Sequence, residues 1–194
     1  MTLRQYKEFN SIEDPTEEDL LRCFSNLSSY EISDLSLDEF NKKVEDINSK
    51  LNKDYPLAPR FILNGVEYGF IPNIDEITYG ENKDLTSYVG SWDTMHRAMA
   101  VAYRPIEFSS GKKYLIQKYR GTSETADVML DAPFEVVAGM LVFFYTLTND
   151  LLSSIPNYLQ EEMMKKDNQH LVKNGQAIEN YISSLKEILP SSTK

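Results

Sequence analysis

The chain changes its apolar period at Asp54-Tyr55-Pro56, and that change decides the class of fold open to it. Before it, Leu37, Phe40, Val44, Ile47 and Leu51 recur at helical spacing behind Ser36-Leu-Asp-Glu39, whose serine and glutamate stand where a capping box needs them. After it, Arg60-Phe-Ile-Leu and Val66-Glu-Tyr-Gly-Phe-Ile71 are two short β-prone runs around Asn64-Gly65. That pair tolerates the positive φ of a tight hairpin turn. Pro56 and Pro59 push the residues before them into extended geometry, so the helix cannot run on into the hairpin. These constraints predict an α+β fold, mostly helical, with a small β-hairpin at about residues 60–71 packed against helices.

The remaining elements follow from local punctuation. Asp14-Pro15-Thr16-Glu17-Glu18 offers capping oxygens, a proline suited to a first turn and early acids, ahead of Leu20, Leu21, Cys23 and Phe24. A helix of about ten residues is expected there, so that the first segment reads as two short helices. Residues 74–78 read as a turn or short helix. From Asp84 the period is helical again: at about 100° per residue, Leu85, Tyr88, Trp92, His96, Met99 and Tyr103 fall within an arc of roughly 80°. Asp93, Arg97 and Arg104 line a neighbouring stripe. Gly90 is a point where this helix divides, and the stretch from Trp92 to Ile106 reads as one helix stopped by Pro105.

Ser109-Ser-Gly111 then reads as a turn, and residues 112–119 alternate loosely as a strand does. A short helix is expected from Thr122 to about Leu130, and Asp131-Ala-Pro133 opens the most apolar helix, at residues 134–152. The organisation is therefore one α+β domain over residues 1–155, with an acidic helical amino-terminal part, followed by a helical arm over 156–194.

Charge and composition narrow the function. Twenty basic residues stand against thirty acidic ones, and the resulting net charge of −10 repels phosphate polyanions, which disfavours direct nucleic-acid binding. The acids crowd at the start: residues 1–54 hold 13 acids and 7 bases, whereas residues 91–132 hold 5 acids and 6 bases. A single cysteine, Cys23, allows no intrachain disulfide and disfavours a thiolate metal site. The amino terminus carries no apolar signal stretch, and the longest apolar run, Val136 to Tyr145, is far short of the roughly 20 residues a bilayer span needs. A cytoplasmic chain without a membrane partner is expected.

No glycine-rich loop has phosphate-cradling spacing, and with only His96 and His170 no histidine-based metal site can be assembled. Asp93, His96 and Arg97 have the elements of an acid/base cluster. The favoured assignment is nevertheless an i, i+4 surface pair of Asp93 with Arg97, and a packed His96 on the aromatic face. Cys23 among leucines and phenylalanine reads as a small core residue, and His170 as solvent-facing. Lys112, Lys113, Lys118 and Arg120, with Arg97 and Arg104, form the one basic concentration, which reads first as a solvated basic face and, in the alternative, as a surface able to receive the acidic arm of a neighbouring copy.

The order Phe61-Ile-Leu-Asn-Gly-Val-Glu-Tyr-Gly-Phe-Ile-Pro-Asn-Ile-Asp-Glu-Ile-Thr-Tyr-Gly80, then Asp84-Leu, then Trp92 through Ile106, resembles small structural-module proteins of tailed bacteriophages, especially crAss-like and other phages of Bacteroidetes. The layout over residues 1–155 is similar to tail assembly chaperones and minor virion proteins. The resemblance implies a non-enzymatic protein without a cofactor, working in the host cytoplasm during virion or tail assembly or remaining in the particle. Its partners would be other phage structural proteins or further copies of itself, met through Trp92, His96, Arg97 and Arg104. An acidic DNA mimic that blocks a host nucleic-acid enzyme is the alternative, given the carboxylates crowded into the first 54 residues.

Overall fold

A computed structural model describes residues 1–154; the expected arm at 156–194 and His170 lie outside the described residues. The described chain is α+β and mostly helical, as its periodicity predicts. Four helices come first: α1 (Leu3–Asn10), α2 (Glu17–Ser25), α3 (Ser29–Ser33) and α4 (Leu37–Leu51). The expected pair of helices is thus joined by two more. Each of the four begins on a capping box, from Thr2 with Gln5, Thr16 with Asp19, Ser28 with Glu31, and Ser36 with Glu39. Each box satisfies otherwise orphaned backbone donors through side chains three residues apart.

The hairpin follows as β1 (Arg60–Leu63) and β2 (Val66–Phe70), with Asn64 at φ 51° and Gly65 at φ 79° in its turn. The sheet does not stop there. β3 (Tyr103–Ser110) and β4 (Lys113–Ile116) extend it to four antiparallel strands in the order β1-β2-β3-β4. Between β2 and β3 lie a 3-10 turn (Ile74–Glu76), α5 (Tyr79–Tyr88) and α6 (Met95–Ala102). A second 3-10 turn (Val128–Asp131) occupies the end of the expected short helix, and α7 (Phe134–Ser154) follows it.

The single helix expected from Trp92 to Ile106 is corrected by the structure. Trp92 and Asp93 lie in the turn between α5 and α6, while Tyr103, Arg104 and Pro105 belong to β3. Long-range pairing overrides the local helical arc: Phe70 faces Tyr103, Gly69 faces Arg104, and the Ile71 amide donates to the Ala102 carbonyl at 2.9 Å. Proline is tolerated inside β3 because of the direction its backbone faces. The Pro105 carbonyl accepts from Gln117, just past the end of β4, so its missing N–H falls where the partner strand has finished. The helix expected from Asp84 starts earlier, at Tyr79, on a Thr78–Glu81 capping box.

Two hydrophobic cores result among the described residues. In the body, Leu63, Tyr68, Phe70 and Tyr103 of the sheet pack with Met95 and Met99 of α6 and Val137, Met140, Leu141 and Phe144 of α7. The linker before β1 also packs directly on α7, since a Cβ on Gly139 would stand 2.4 Å from the Pro56 carbonyl oxygen. In the amino-terminal layer, Leu20, Leu21, Cys23, Phe24, Ile32, Val44 and Ile47 form a smaller core, with Cys23 the small apolar residue expected. Helix α1 joins the two. Leu3 is fully buried in the body core and Tyr6 and Phe9 pack on the other, while a Thr2–Pro133 bridge ties the amino terminus to the start of α7.

Candidate functional site

Trp92, His96 and Arg97 sit at the seam between these cores. The Tyr6 ring from α1 lies 4.3 Å from Trp92, 4.7 Å from Phe134 and 6.5 Å from Phe24, so it touches aromatics of both halves. Beside it, the Lys7 ammonium donates to the Asp93 carbonyl at 3.1 Å and lies 3.5 Å from the Asp93 carboxylate. The expected Asp93–Arg97 pair is thereby corrected: Asp93 precedes α6, so the i, i+4 relation of a helix does not hold, and Arg97 instead lies over the Tyr88 ring at 5.7 Å. His96 is half-buried, with an Nδ1 that finds no hydrogen-bond partner among the described residues. Burial lowers its pKa, and the positive Lys7 and Arg97 push the same way, which keeps the imidazole neutral at pH 7.

Arg104, expected on the same helical face, is elsewhere and enclosed. It is 8% exposed, and its Nη2 lies 2.5 Å from Oε1 of Glu81, itself 5% exposed. Glu81 also accepts from the Thr78 backbone N–H at 2.7 Å and from the Thr78 hydroxyl at 2.6 Å. Burial pushes the Glu81 carboxyl upward, but the two Thr78 hydrogen bonds and the Arg104 charge outweigh it, and the group titrates below its ordinary value. Close by, Tyr119 donates to Asp84 at 2.5 Å and stacks under the Arg104 guanidinium at 5.7 Å. Burial first, and then the bond to the Asp84 carboxylate, hold the Tyr119 phenol well above its usual range. This network pins α5 to β3 and to the segment after β4.

The basic concentration lies on the β3–β4 hairpin and beyond it. Lys112, Lys113, Lys118 and Arg120 are all exposed, and the hairpin also carries two large apolar side chains into solvent: Phe108 is 62% exposed and Leu115 63%. These two face each other across the ladder, on the side opposite Tyr114. The Tyr114 side ties the hairpin to the first two strands. The Tyr114 hydroxyl donates to the Phe70 carbonyl at 2.8 Å, and its ring passes so close over Gly69 that a Cβ there would meet it at 2.4 Å. Arg60 stacks on that ring at 4.5 Å and donates to Ser109 and to the Gly111 carbonyl.

Sequence reasoning did not single out Glu81, Asp84, Tyr119, Phe108 or Leu115. Thr78-x-x-Glu81 was a legible capping signal for one of them; Asp84 and Tyr119 meet across 35 residues, and Phe108 and Leu115 pair across one hairpin whose exposure no local pattern declares. Among the described residues, no group of three or more His, Cys, Asp or Glu could hold a metal ion, and no helix is long and apolar enough to cross a membrane. No known family, curated protein or solved structure matches the chain.

Proposed function

We propose that the chain is a non-enzymatic assembly protein of a tailed-phage virion or tail, acting in the host cytoplasm through protein–protein contacts. The observation that carries the binding part is the β3–β4 hairpin, anchored through Tyr114 and Arg60, which holds Phe108 and Leu115 in water although the fold has a core to receive apolar side chains. Large apolar side chains on a preorganised element lose little conformational freedom on binding, and their burial contributes roughly 25 cal/mol per Å2. The phage part rests on the resemblance of residues 61–106. In this reading Arg97 remains an outward-facing contact residue, while Trp92 and Arg104 are engaged inside the chain.

The DNA-mimic alternative is weaker, because many of the crowded carboxylates have local work. Asp19, Glu31 and Glu39 close capping boxes, and Asp38 and Asp46 pair with Lys42 and Lys50 at 2.8 and 2.7 Å. Mass spectrometry of purified particles, with affinity isolation of the full chain from infected cells, tests the assembly reading. The expected result is the chain in the particle or bound to virion subunits. Its absence from both, with inhibition of a host nucleic-acid enzyme instead, would overturn the reading in favour of the mimic.

A further inference from the structure

We infer that the exposed face of the β3–β4 hairpin docks onto the α3–α4 corner of a second copy of this chain, in a head-to-tail contact. The inference deepens the binding reading by naming the partner, and it rests on that reading. Among the described residues, two segments pair two large exposed apolar side chains with a predominance of one sign of charge; Tyr79, 83% exposed, stands singly, and the β1–β2 hairpin with Ile62 is mixed in charge. On the β3–β4 hairpin, Phe108 (62% exposed) and Leu115 (63%) lie within residues 105–120, where Lys112, Lys113, Lys118 and Arg120 stand against Glu107 alone. At the other, Tyr30 and Leu37, both 76% exposed, lie within residues 28–39, which hold Glu31, Asp34, Asp38 and Glu39; Asp38 pairs with Lys42 just beyond, and Glu31 and Glu39 keep their charge while closing capping boxes, so the corner stays net acidic.

The two patches are complementary in charge, and each offers apolar surface for the other to cover. Apolar burial supplies the affinity and the opposed charges set the register, so a wrong pairing of hairpin with hairpin brings lysines together and is rejected. Both patches stand in solvent on the isolated chain. Because the two patches differ, the contact is heterologous: every copy offers one of each, and addition continues into a closed ring or an open filament according to the rotation between copies.

That geometry gives the test. Sedimentation of the full chain over a concentration series reaching about 1 mM detects even weak contacts of this kind. The native chain is expected to climb from the 22.3 kDa monomer towards larger species. A hairpin variant, Phe108→Glu with Leu115→Glu, and a corner variant, Tyr30→Lys with Leu37→Lys, are each expected to stay monomeric alone while melting like the native chain. Mixed in equal amounts they retain one intact hairpin and one intact corner between them, so the mixture is expected to form a species of about twice the monomer mass and no larger. As a second route that leaves the apolar residues in place, Lys112→Glu with Lys113→Glu is expected to abolish growth, and Asp34→Lys with Asp38→Lys in the same chain to restore it. A native chain that stays monomeric throughout, a mixture that stays monomeric, or a hairpin variant that still self-associates would each overturn the inference. A monomeric chain nevertheless found in particles would leave the assembly reading standing, whereas a self-associating chain absent from them would remove that reading and keep the contact.

Discussion

The amino-terminal layer and the sheet-bearing body are built by different means from the same chain. The layer consists of helices that start on their own capping boxes, with neighbours close in sequence and a small core around Leu21 and Val44. The body depends on pairings between distant segments, β2 with β3 and Glu81 with Arg104, and on a larger core that includes Met95, Met99, Met129 and Met140. Local signals specify where a helix begins, whereas a long-range ladder can overrule them, as at Tyr103 to Pro105. The two halves should therefore fail differently when single residues are changed.

The largest effect is expected from Arg104→Ala, which leaves the Glu81 carboxylate buried without its partner. Removing one member of such a pair costs about 3–5 kcal/mol, and urea unfolding at pH 7 measures it. The sign with pH is specific. Glu81 in the folded chain titrates below its ordinary 4.5, so its contribution is present above that pH and is lost as pH falls through the folded value. In Arg104→Ala the unpaired group protonates more readily, so the deficit relative to the native chain should shrink on acidification. A deficit that does not change with pH would mean that Arg104 acts by packing alone.

Next comes Leu21→Ala, fully buried in the layer, at about 2–5 kcal/mol. Here the location is informative: the loss should be concentrated in α2–α4, whereas Met99→Ala should loosen the sheet as well. Gly139→Ala should cost about 1–3 kcal/mol in thermal melting, because its Cβ would meet the backbone of Pro56, which has no flexible end to swing away. Ser36→Ala, at the start of α4, should cost about 1 kcal/mol by removing one capping box. A body-wide effect from Ser36→Ala would erase the contrast between the halves.

Much of this is legible in the sequence alone, and what is not follows the same division. Asn64-Gly65, Ser36-x-x-Glu39 and the apolar stretch of α7 each declare an element through a few neighbouring residues. Thr2-x-x-Gln5 and Ser28-x-x-Glu31 carry the same spacing and were readable, so α1 and α3 needed no further information. Strand β3 was not readable, because Trp92, His96, Met99 and Tyr103 also satisfy a helical arc and only Phe70, far back in the chain, decides against it. The setting of Arg104 was hidden for the same reason. Nor does alternation along β3 and β4 say that Phe108 and Leu115 stand clear of the core, since alternation separates the two faces of a strand without saying which face is covered.

Central to the account is that Tyr6 and Trp92 form a seam between two separately built halves. Hydrogen exchange on the full chain carrying Tyr6→Ala, read by mass spectrometry, tests this most directly. Amides of α2, α3 and α4 are expected to lose protection together and strongly, while those of β2, β3 and α6 stay near their native values. An equal loss of protection across both halves would contradict it, and would make the molecule one cooperative unit in which the seam has no special place.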